Sequence, residues 1–419
     1  MRIKSLHLEN IGPFVEADLE FMADGDAKPP VVLITGENGT GKSIILDAIR
    51  GIFGKQYTRL ERDIRRRKSV DSAKIEALFE VDKELVEIKS HKFFANHIAP
   101  GQKITPYDIP IIPSRVVQGG ECPNWIVDYW PSVLAGGSYR VSALSSPNHR
   151  DVFQNSLQGA KVKTNTTQLI CHFDYLRDSR DEREKAIGEK LYAVLGEIIA
   201  LSLLEGGHLS HVSRATYEPV IVQNGQAVGL EQLSSGNSYL IQDMVELLGK
   251  MYSVHFLRQT DISELCQTPG LLLIDEAENQ LHPKWQKRFI RSILQIFPNL
   301  QIIATTHSPF IISSVEDARL FVCKAEGDRC VVTDETAQYS NKPVDEILMS
   351  PLFEETQPFN EEITRLIEDR KQAIENGDGA ERTRIEAKLK ELNPSYFAYF
   401  DLEQLLATTL SGETGEGVL

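Results

Sequence analysis

The sequence is poor in several things. It has five cysteines in 419 residues, an odd number, and no two of them have the CxxC spacing of a zinc or redox site. A disulfide framework and a structural zinc site are therefore not expected, and reduced thiols in a reducing compartment are. No apolar run approaches the roughly 20 residues that a membrane-spanning helix needs. The candidates near Ile198–Leu204 and Leu271–Ile274 are far shorter. Met1–Asn10 mixes charged with apolar residues and lacks the apolar core of a signal peptide. The reading is a cytoplasmic protein. Positive charge is also scarce, with 45 Lys and Arg against 60 Asp and Glu and a formal net charge of −15. That balance argues against a grip on nucleic acid by the whole surface and leaves room only for a local basic patch.

What is present is ordinary for a globular chain: 41% hydrophobic and 25% charged residues, and a length that fits two or three domains. Ile3–Leu8 and Val15–Phe21 alternate as strands around a turn at Gly12-Pro13. Pro30–Thr35, Gly270–Ile274 and Gln301–Thr306 are short apolar runs of the kind that form buried parallel strands. Ala73–Lys89 reads as a hairpin turning near Lys83-Glu84, and Arg319–Lys324 with Arg329–Thr333 as a strand pair. His211–Gly229 reads as another hairpin, turning at Asn224-Gly225. Helices are expected over Ile44–Phe53, Asp178–Leu204, from after Ser235 to about Met251, and over Pro283–Ile296. The stretch from His97 to about Lys163 is rich in Pro, Gly and Ser and reads as irregular.

The strongest chemical signal is Gly36-Glu37-Asn38-Gly39-Thr40-Gly41-Lys42-Ser43, set between a buried strand and a helix. That is the context a phosphate-binding loop requires. Its glycines let the backbone curl so that N–H groups point inward, and the helix N-terminus adds partial positive charge. Lys42 is placed to reach the β- and γ-phosphates of a nucleotide, and Ser43 to ligate Mg2+. Leu271-Leu272-Leu273-Ile274-Asp275-Glu276 supplies a second anchor: Asp275 ends a central strand, where open α/β sheets bind ligand, and is the second metal residue. Glu276, next along, can polarise a water for in-line attack. The bland reading of two acidic residues there is a helix cap. His307 follows the third apolar strand and comes beside Asp275 and Glu276 if the two strands are neighbours. Leu233-Ser234-Ser235-Gly236-Asn237, taken alone, reads as a helix N-cap.

Together these segments resemble the ABC-type ATPases, in their SMC/RecF-like branch. The opening MRIKSLHLENIGPF, the Walker A sequence GENGTGKS, LSSGN in place of the LSGGQ signature, LLLIDEAENQLHP in place of Walker B and D-loop, and TTHSPFI in place of the histidine switch follow in family order. Ser235 stands where the signature has its first glycine and Asn237 where it has glutamine. The resemblance covers the chain to about residue 335. It implies an α/β ABC-ATPase head with a mixed sheet core, a smaller helical lobe and a C-terminal helical hairpin. Its segments are lobe I with Walker A at 1–95, lobe II ending in the signature at 96–250, lobe I with Walker B and switch at 251–340, and the hairpin at 341–419. It implies ATP and Mg2+ as ligands, with Asn38, Gly39, Gly41, Lys42 and Ser43 holding the nucleotide, Ser43 and Asp275 the metal, and Glu276 and His307 catalytic. It further implies a head-to-tail dimer, or a higher even oligomer, in which Ser234 and Gly236 of one protomer face the γ-phosphate held by another. A glutamine-loop residue is not evident; Gln118 is one candidate. Within the branch the chain looks like the small AAA-type ATPases of bacterial phage-defence systems, PtuA of Septu and of retrons and the ATPase of PARIS. Such ATPases work with a separate effector, often a nuclease, and no nuclease is expected in this chain. The other reading is a RecF-like repair ATPase that clamps DNA directly. A transporter subunit is disfavoured, because the signature lies far ahead of Walker B. Long coiled-coil arms are excluded by the lack of a heptad array.

Two features stand apart from these motifs. Arg62, Arg65, Arg66, Arg67 and Lys68 form a dense basic cluster. It is either a backbone-contacting nucleic-acid patch or a solvated loop that pairs with acidic surface or contacts ATP. Toward the C-terminus, Ile363, Leu366, Ile367 and Ile374, then Ile385, Leu389 and Leu392, mark one face of a helical hairpin with charged outer faces. That hairpin is either a solvated pair or a docking surface for a partner.

Overall fold

Strands made mostly of apolar residues must be covered on both faces, and the parallel strands of the sheet are of this kind. In the computed structural model, which describes residues 1–23, 25, 30–53, 73–89, 122–132, 139–149, 163–203, 206–353 and 359–400, a ten-stranded sheet has the order β5-β4-β1-β2-β13-β12-β3-β11-β10-β6. Its strands are β1 (Arg2–Ile11), β2 (Phe14–Glu20), β3 (Val32–Gly36), β4 (Lys74–Val81), β5 (Glu84–Lys89), β6 (Ile126–Trp130), β10 (Gly270–Ile274), β11 (Leu300–Thr305), β12 (Arg319–Glu326) and β13 (Arg329–Asp334). A separate antiparallel meander holds β7 (His208–Ser213), β8 (Glu218–Gln223) and β9 (Gln226–Gly229). The fold is α/β, with a mixed sheet core.

The sheet has two halves. β12, β3, β11, β10 and β6 run parallel, and every residue of β6, β10 and β11 is buried. β5, β4, β1 and β2 are antiparallel, and β4, β1 and β2 alternate buried with exposed or half-buried residues, as a sheet with one wet face does. The halves are stitched by Gln301 of β11, which is fully buried. Its Oε1 accepts from the Ile3 N–H at 2.7 Å and its Nε2 donates to the Ile3 carbonyl at 2.9 Å. Both polar ends of the amide are thus satisfied in the core, as burial demands.

Three long helices form a lobe: α2 (Lys163–Arg177), α3 (Glu182–Ser202) and α4 (Ser235–Arg258) pack on one another, and α4 also packs on β6. The Walker A helix, α1 (Lys42–Phe53), instead packs on β3 and β11. α4 is joined to β6 by a buried ion pair of Lys250 with Asp128, which is 0% exposed. Asp128 also accepts from Tyr129 N at 2.8 Å and from Trp130 Nε1 at 3.1 Å. A buried charge with this many partners costs about 3–5 kcal/mol to strand by removing one of them.

Four expectations from the sequence are corrected. The stretch read as irregular contains β6, a buried strand beside β10. The helix read from Asp178 begins at Glu182, where the Asp181 side chain caps it, and α2 precedes it. Asn224-Gly225 turns between β8 and β9, so the expected hairpin is a three-stranded meander. The helix over Pro283–Ile296 is two pieces, α5 (Pro283–Gln286) and α6 (Phe289–Ile296), parted where Arg288 takes φ −116°.

Contacts divide the chain into two units, Met1–Ile347 and Leu348–Leu419. The second holds two paired helices, α7 (Glu361–Glu375) and α8 (Gly379–Leu392). Asn360 and Asp378 cap them, each accepting a backbone N–H at 3.0 Å. Ile385, Leu389, Phe397 and Phe400 form its core, with Ile363, Leu366 and Ile367 against it. Ile374 and Leu392, placed by their spacing on the same face, are 45% and 43% exposed because each sits in the last turn of its helix. Glu386, 3% exposed, receives Arg370 Nε at 2.8 Å and Arg382 Nε at 2.7 Å. Burial alone raises its pKa, but hydrogen bonds and charge from the two guanidinium groups hold it below the ordinary glutamate value.

Candidate nucleotide site

The strand order makes three loops converge. β3, β11 and β10 are consecutive parallel neighbours, so the segments after their C-terminal ends emerge side by side. These are the loop at 36–43, the pair Asp275-Glu276, and Thr306-His307.

The loop is a tight cradle. Gly36 has φ +134°, and a Cβ there would lie 2.1 Å from the Cys323 carbonyl oxygen of β12, so only glycine fits. Gly39 and Gly41 also have positive φ, +81° and +98°. The Phe14 ring of the β1–β2 turn lies directly behind Gly41, which gives the Gly12-Pro13-Phe14 turn its place in the site. Asn38 and Gly39 are exposed at the rim. Lys42 Nζ donates to the carbonyls of Gly36 at 2.9 Å and Glu37 at 2.7 Å. Among the described residues no carboxylate is hydrogen-bonded to it. Burial lowers the Lys42 pKa, against the raising effect of neighbours that include Glu278, Asp275 and Glu276.

Asp275, 8% exposed, gathers the rest. Its Oδ1 accepts the Ser43 hydroxyl at 2.8 Å and the Thr305 hydroxyl at 2.7 Å. Thr305 Oγ1 in turn accepts the Glu276 N–H at 2.8 Å. Ser43 and Asp275, the two residues expected at the metal, are therefore in direct contact across 232 positions of chain. Glu276 is exposed and has φ +52°, a left-handed conformation that costs a non-glycine residue about 1–2 kcal/mol. Burial, then the charges of Asp275 and Glu278, raise its pKa. The His307 pKa is lowered by burial and then by Lys42, so its imidazole is neutral near pH 7.

Thr305 and Glu278 were not singled out from the sequence, although both lie inside quoted motifs, TTHSPFI and IDEAENQLHP. Glu278 Oε2 accepts the Thr306 hydroxyl and Oε1 the His307 N–H, both at 2.7 Å. Tyr129 of β6 was missed with its strand. Its ring lies under the Arg50 guanidinium of α1 at 3.7 Å, and burial raises its pKa.

The signature segment is elsewhere in the same unit. Ser234 caps α4, its side chain accepting from Asn237 N at 3.4 Å, and Ser234 and Ser235 are exposed. Gly236 is buried, and a Cβ there would lie 2.6 Å from the Gln280 carbonyl oxygen. The signature thus packs against the turn that follows Glu276. A shallow cleft opens beside that contact, lined by Ser132, Tyr239, Asp243, Glu276, Asn279 and Gln280. Gln118 and the cluster Arg62, Arg65, Arg66, Arg67 and Lys68 lie outside the described residues.

A glycine loop ahead of a helix, a lysine held over it and a hydroxyl–carboxylate pair beside it define a P-loop nucleotide-binding head. Comparison with known proteins agrees. One AAA-domain family model matches residues 5–186, and a second, described as "AAA domain, putative AbiEii toxin, Type IV TA system", matches residues 169–313. The chain is related in sequence to the retron Vc95 probable ATPase of Vibrio cholerae serotype O1 biovar El Tor, at 22% identity over 218 residues, 52% of this chain and 40% of that protein. It is also related to the Septu protein PtuA of Bacillus thuringiensis, at 35% identity over 108 residues, 25% of this chain and 26% of that protein. The matches therefore span less than half the length of these curated relatives. A solved SMC head bound to the C-winged helix domain of ScpA aligns with a TM-score of 0.46 and 14% identity, over 80% of this chain and 98% of that one. Among the described residues no helix is long and apolar enough to cross a membrane.

Proposed function

We propose that the chain is an ATP-driven switch: a head that binds and hydrolyses Mg-ATP, closes on a second copy around two nucleotides, and controls a separate effector nuclease in anti-phage defence. The observation that carries the nucleotide chemistry is the Ser43–Asp275 contact at 2.8 Å beside the Lys42 loop. Those residues fit a Mg-nucleotide. A hydroxyl and a carboxylate already face each other, and the buried ammonium donates to loop carbonyls that it can give up. Ser43 and Asp275 hold the metal in this reading, and bound Mg2+ supplies positive charge to the phosphate oxygens. Lys42 binds the β- and γ-phosphates.

Glu276 is the general base. Its carboxylate takes a proton from a water whose oxygen attacks the γ-phosphorus. The bond to the bridging oxygen breaks, and its electrons leave with ADP. The raised Glu276 pKa brings its basicity closer to the working pH. Neutral His307 can hydrogen-bond the γ-phosphate or the water.

Ser234 and Ser235 are exposed at the N-terminus of a 24-residue helix, an end that favours an anion. Closure over a second protomer's γ-phosphate uses that terminus. The defence role and the effector rest on the sequence relation to the retron and Septu proteins. Action within the cytoplasm, and the lack of a nuclease in the chain itself, belong to the same reading.

Tagged Glu276→Gln protein, pulled from its native host with Mg-ATP and read by mass spectrometry, tests it. A stoichiometric nuclease partner is expected. Recovery of DNA with repair proteins alone contradicts the defence reading and favours a RecF-like clamp, with Arg62, Arg65, Arg66, Arg67 and Lys68 as its contacts.

A further inference from the structure

We infer that Glu278 is a positioning residue: its carboxylate holds the segment carrying His307 and ties it to the turn that meets the signature helix. The inference rests on the ATPase reading only for the consequence of that hold, not for the hold itself.

Both oxygens of Glu278 are committed to the switch segment, one to Thr306 Oγ1 and one to His307 N. Thr306 is fully buried, and its hydroxyl oxygen accepts Ser308 N at 3.0 Å. Ser308 Oγ donates to Gln286 Oε1 at 2.6 Å. Residues 306–308 are thus fixed by one chain of hydrogen bonds whose charged end is Glu278. Charge-assisted bonds are the strong members of such chains.

The other side of Glu278 is anchored too. The next residue, Asn279, donates from Nδ2 to the Ser132 carbonyl just past β6. The one after, Gln280, has φ +59° and sets its carbonyl against Gly236 of the signature. A displacement of the signature helix or of the segment after β6 therefore meets this turn first, and Glu278 is the turn's link to the switch. His307 needs no hydrogen bond from Glu278 to its ring for this: the backbone of residue 307 is what is held.

Glu278 touches neither nucleotide nor water in this account, so its effect must pass through His307. In Glu278→Ala, kcat is expected to fall about tenfold or more while the KM for ATP stays within about twofold. Glu278→Gln keeps an acceptor for the His307 N–H and can donate to Thr306 Oγ1, so it is expected to recover most of the loss. In a His307→Ala background, Glu278→Ala is expected to cost nothing further, as for two residues acting as a unit. Multiplying losses, an unaffected Glu278→Ala, or no rescue by glutamine each overturn the inference.

Absence of ATP turnover in the unaltered chain is the failure of the ATPase reading, and the hold is then decided by hydrogen exchange alone. Backbone N–H groups of residues 306–311 are expected to exchange about tenfold faster in Glu278→Ala than in the unaltered protein or Glu278→Gln, with β10 and β11 unchanged. Equal protection of 306–311 in all three proteins, or loss of protection throughout β10 and β11, contradicts it.

Discussion

At the ends of β3, β10 and β11, Lys42, Ser43, Asp275, Glu276 and Thr305 meet one another within a single chain, with Asp275 Oδ1 accepting two hydroxyls at once. At the start of α4 the opposite holds. Ser234 and Ser235 face solvent, and what packs behind them is Gly236 against the Gln280 backbone. The two regions share a unit but their helices pack differently: α1 sits on β3 and β11, whereas α4 sits on α2, α3 and β6. A nucleotide cradle can be built by one chain because parallel strands deliver their loops to one edge. In the proposed reading, the capped helix N-terminus, with Ser234 and Ser235 facing solvent, is half of a site whose other half is the phosphate bound by a second copy.

The contrast can be broken or sharpened by substitution. Glu276→Gln should have the largest effect, lowering turnover by about 10²–10⁴-fold with ATP still bound, because general-base assistance is lost and the cradle is untouched. Native turnover in that variant removes Glu276 from its role. Lys42→Ala should weaken ATP binding by about 100-fold, or about 2.7 kcal/mol, in a filter or calorimetric titration. Ser234→Arg should divide the two regions most cleanly. ATP affinity stays within about twofold, while turnover falls about tenfold, since the bulky cation obstructs only the face offered to another copy. Full turnover there would leave the exposed serines without a catalytic part.

Gly236→Ala is a milder probe. Its Cβ, 2.6 Å from the Gln280 carbonyl, should push the turn after Glu276 at a cost of about 1–3 kcal/mol in melting experiments. The smallest effect is expected in the second unit. The Glu386 pKa is held below the ordinary value in the folded state, so its contribution to stability is present above the unfolded value of about 4.3 and fades as pH falls through the lower folded value. Glu386→Gln should therefore lower the melting temperature at neutral pH and make little difference in acid.

Much of the cradle could be read from the chain because each part carries its own local signal: glycines before a helix, apolar runs ending in carboxylates, a turn at Gly12-Pro13. β6 could not, since Asp128 interrupts its apolar run and the lysine that pairs with that charge, Lys250, lies 122 residues away. α2 was hidden by its mixed polarity, KTNTTQLICHFDYLR. Glu278 and Thr305 were visible as letters of their motifs, but their hydrogen bonds join strands that become neighbours only in the sheet. Gly236 shows the reverse case: the resemblance pointed to a phosphate on another protomer, whereas the structure adds a reason for glycine within the chain itself.

The mass of Glu276→Gln protein in solution, by light scattering with and without Mg-ATP, tests the central claim most directly. The account predicts a doubling of mass that needs Mg-ATP and that is lost when Ser234→Arg is added. A mass that stays at one chain with ATP demonstrably bound, or a doubling that Ser234→Arg leaves intact, would contradict it.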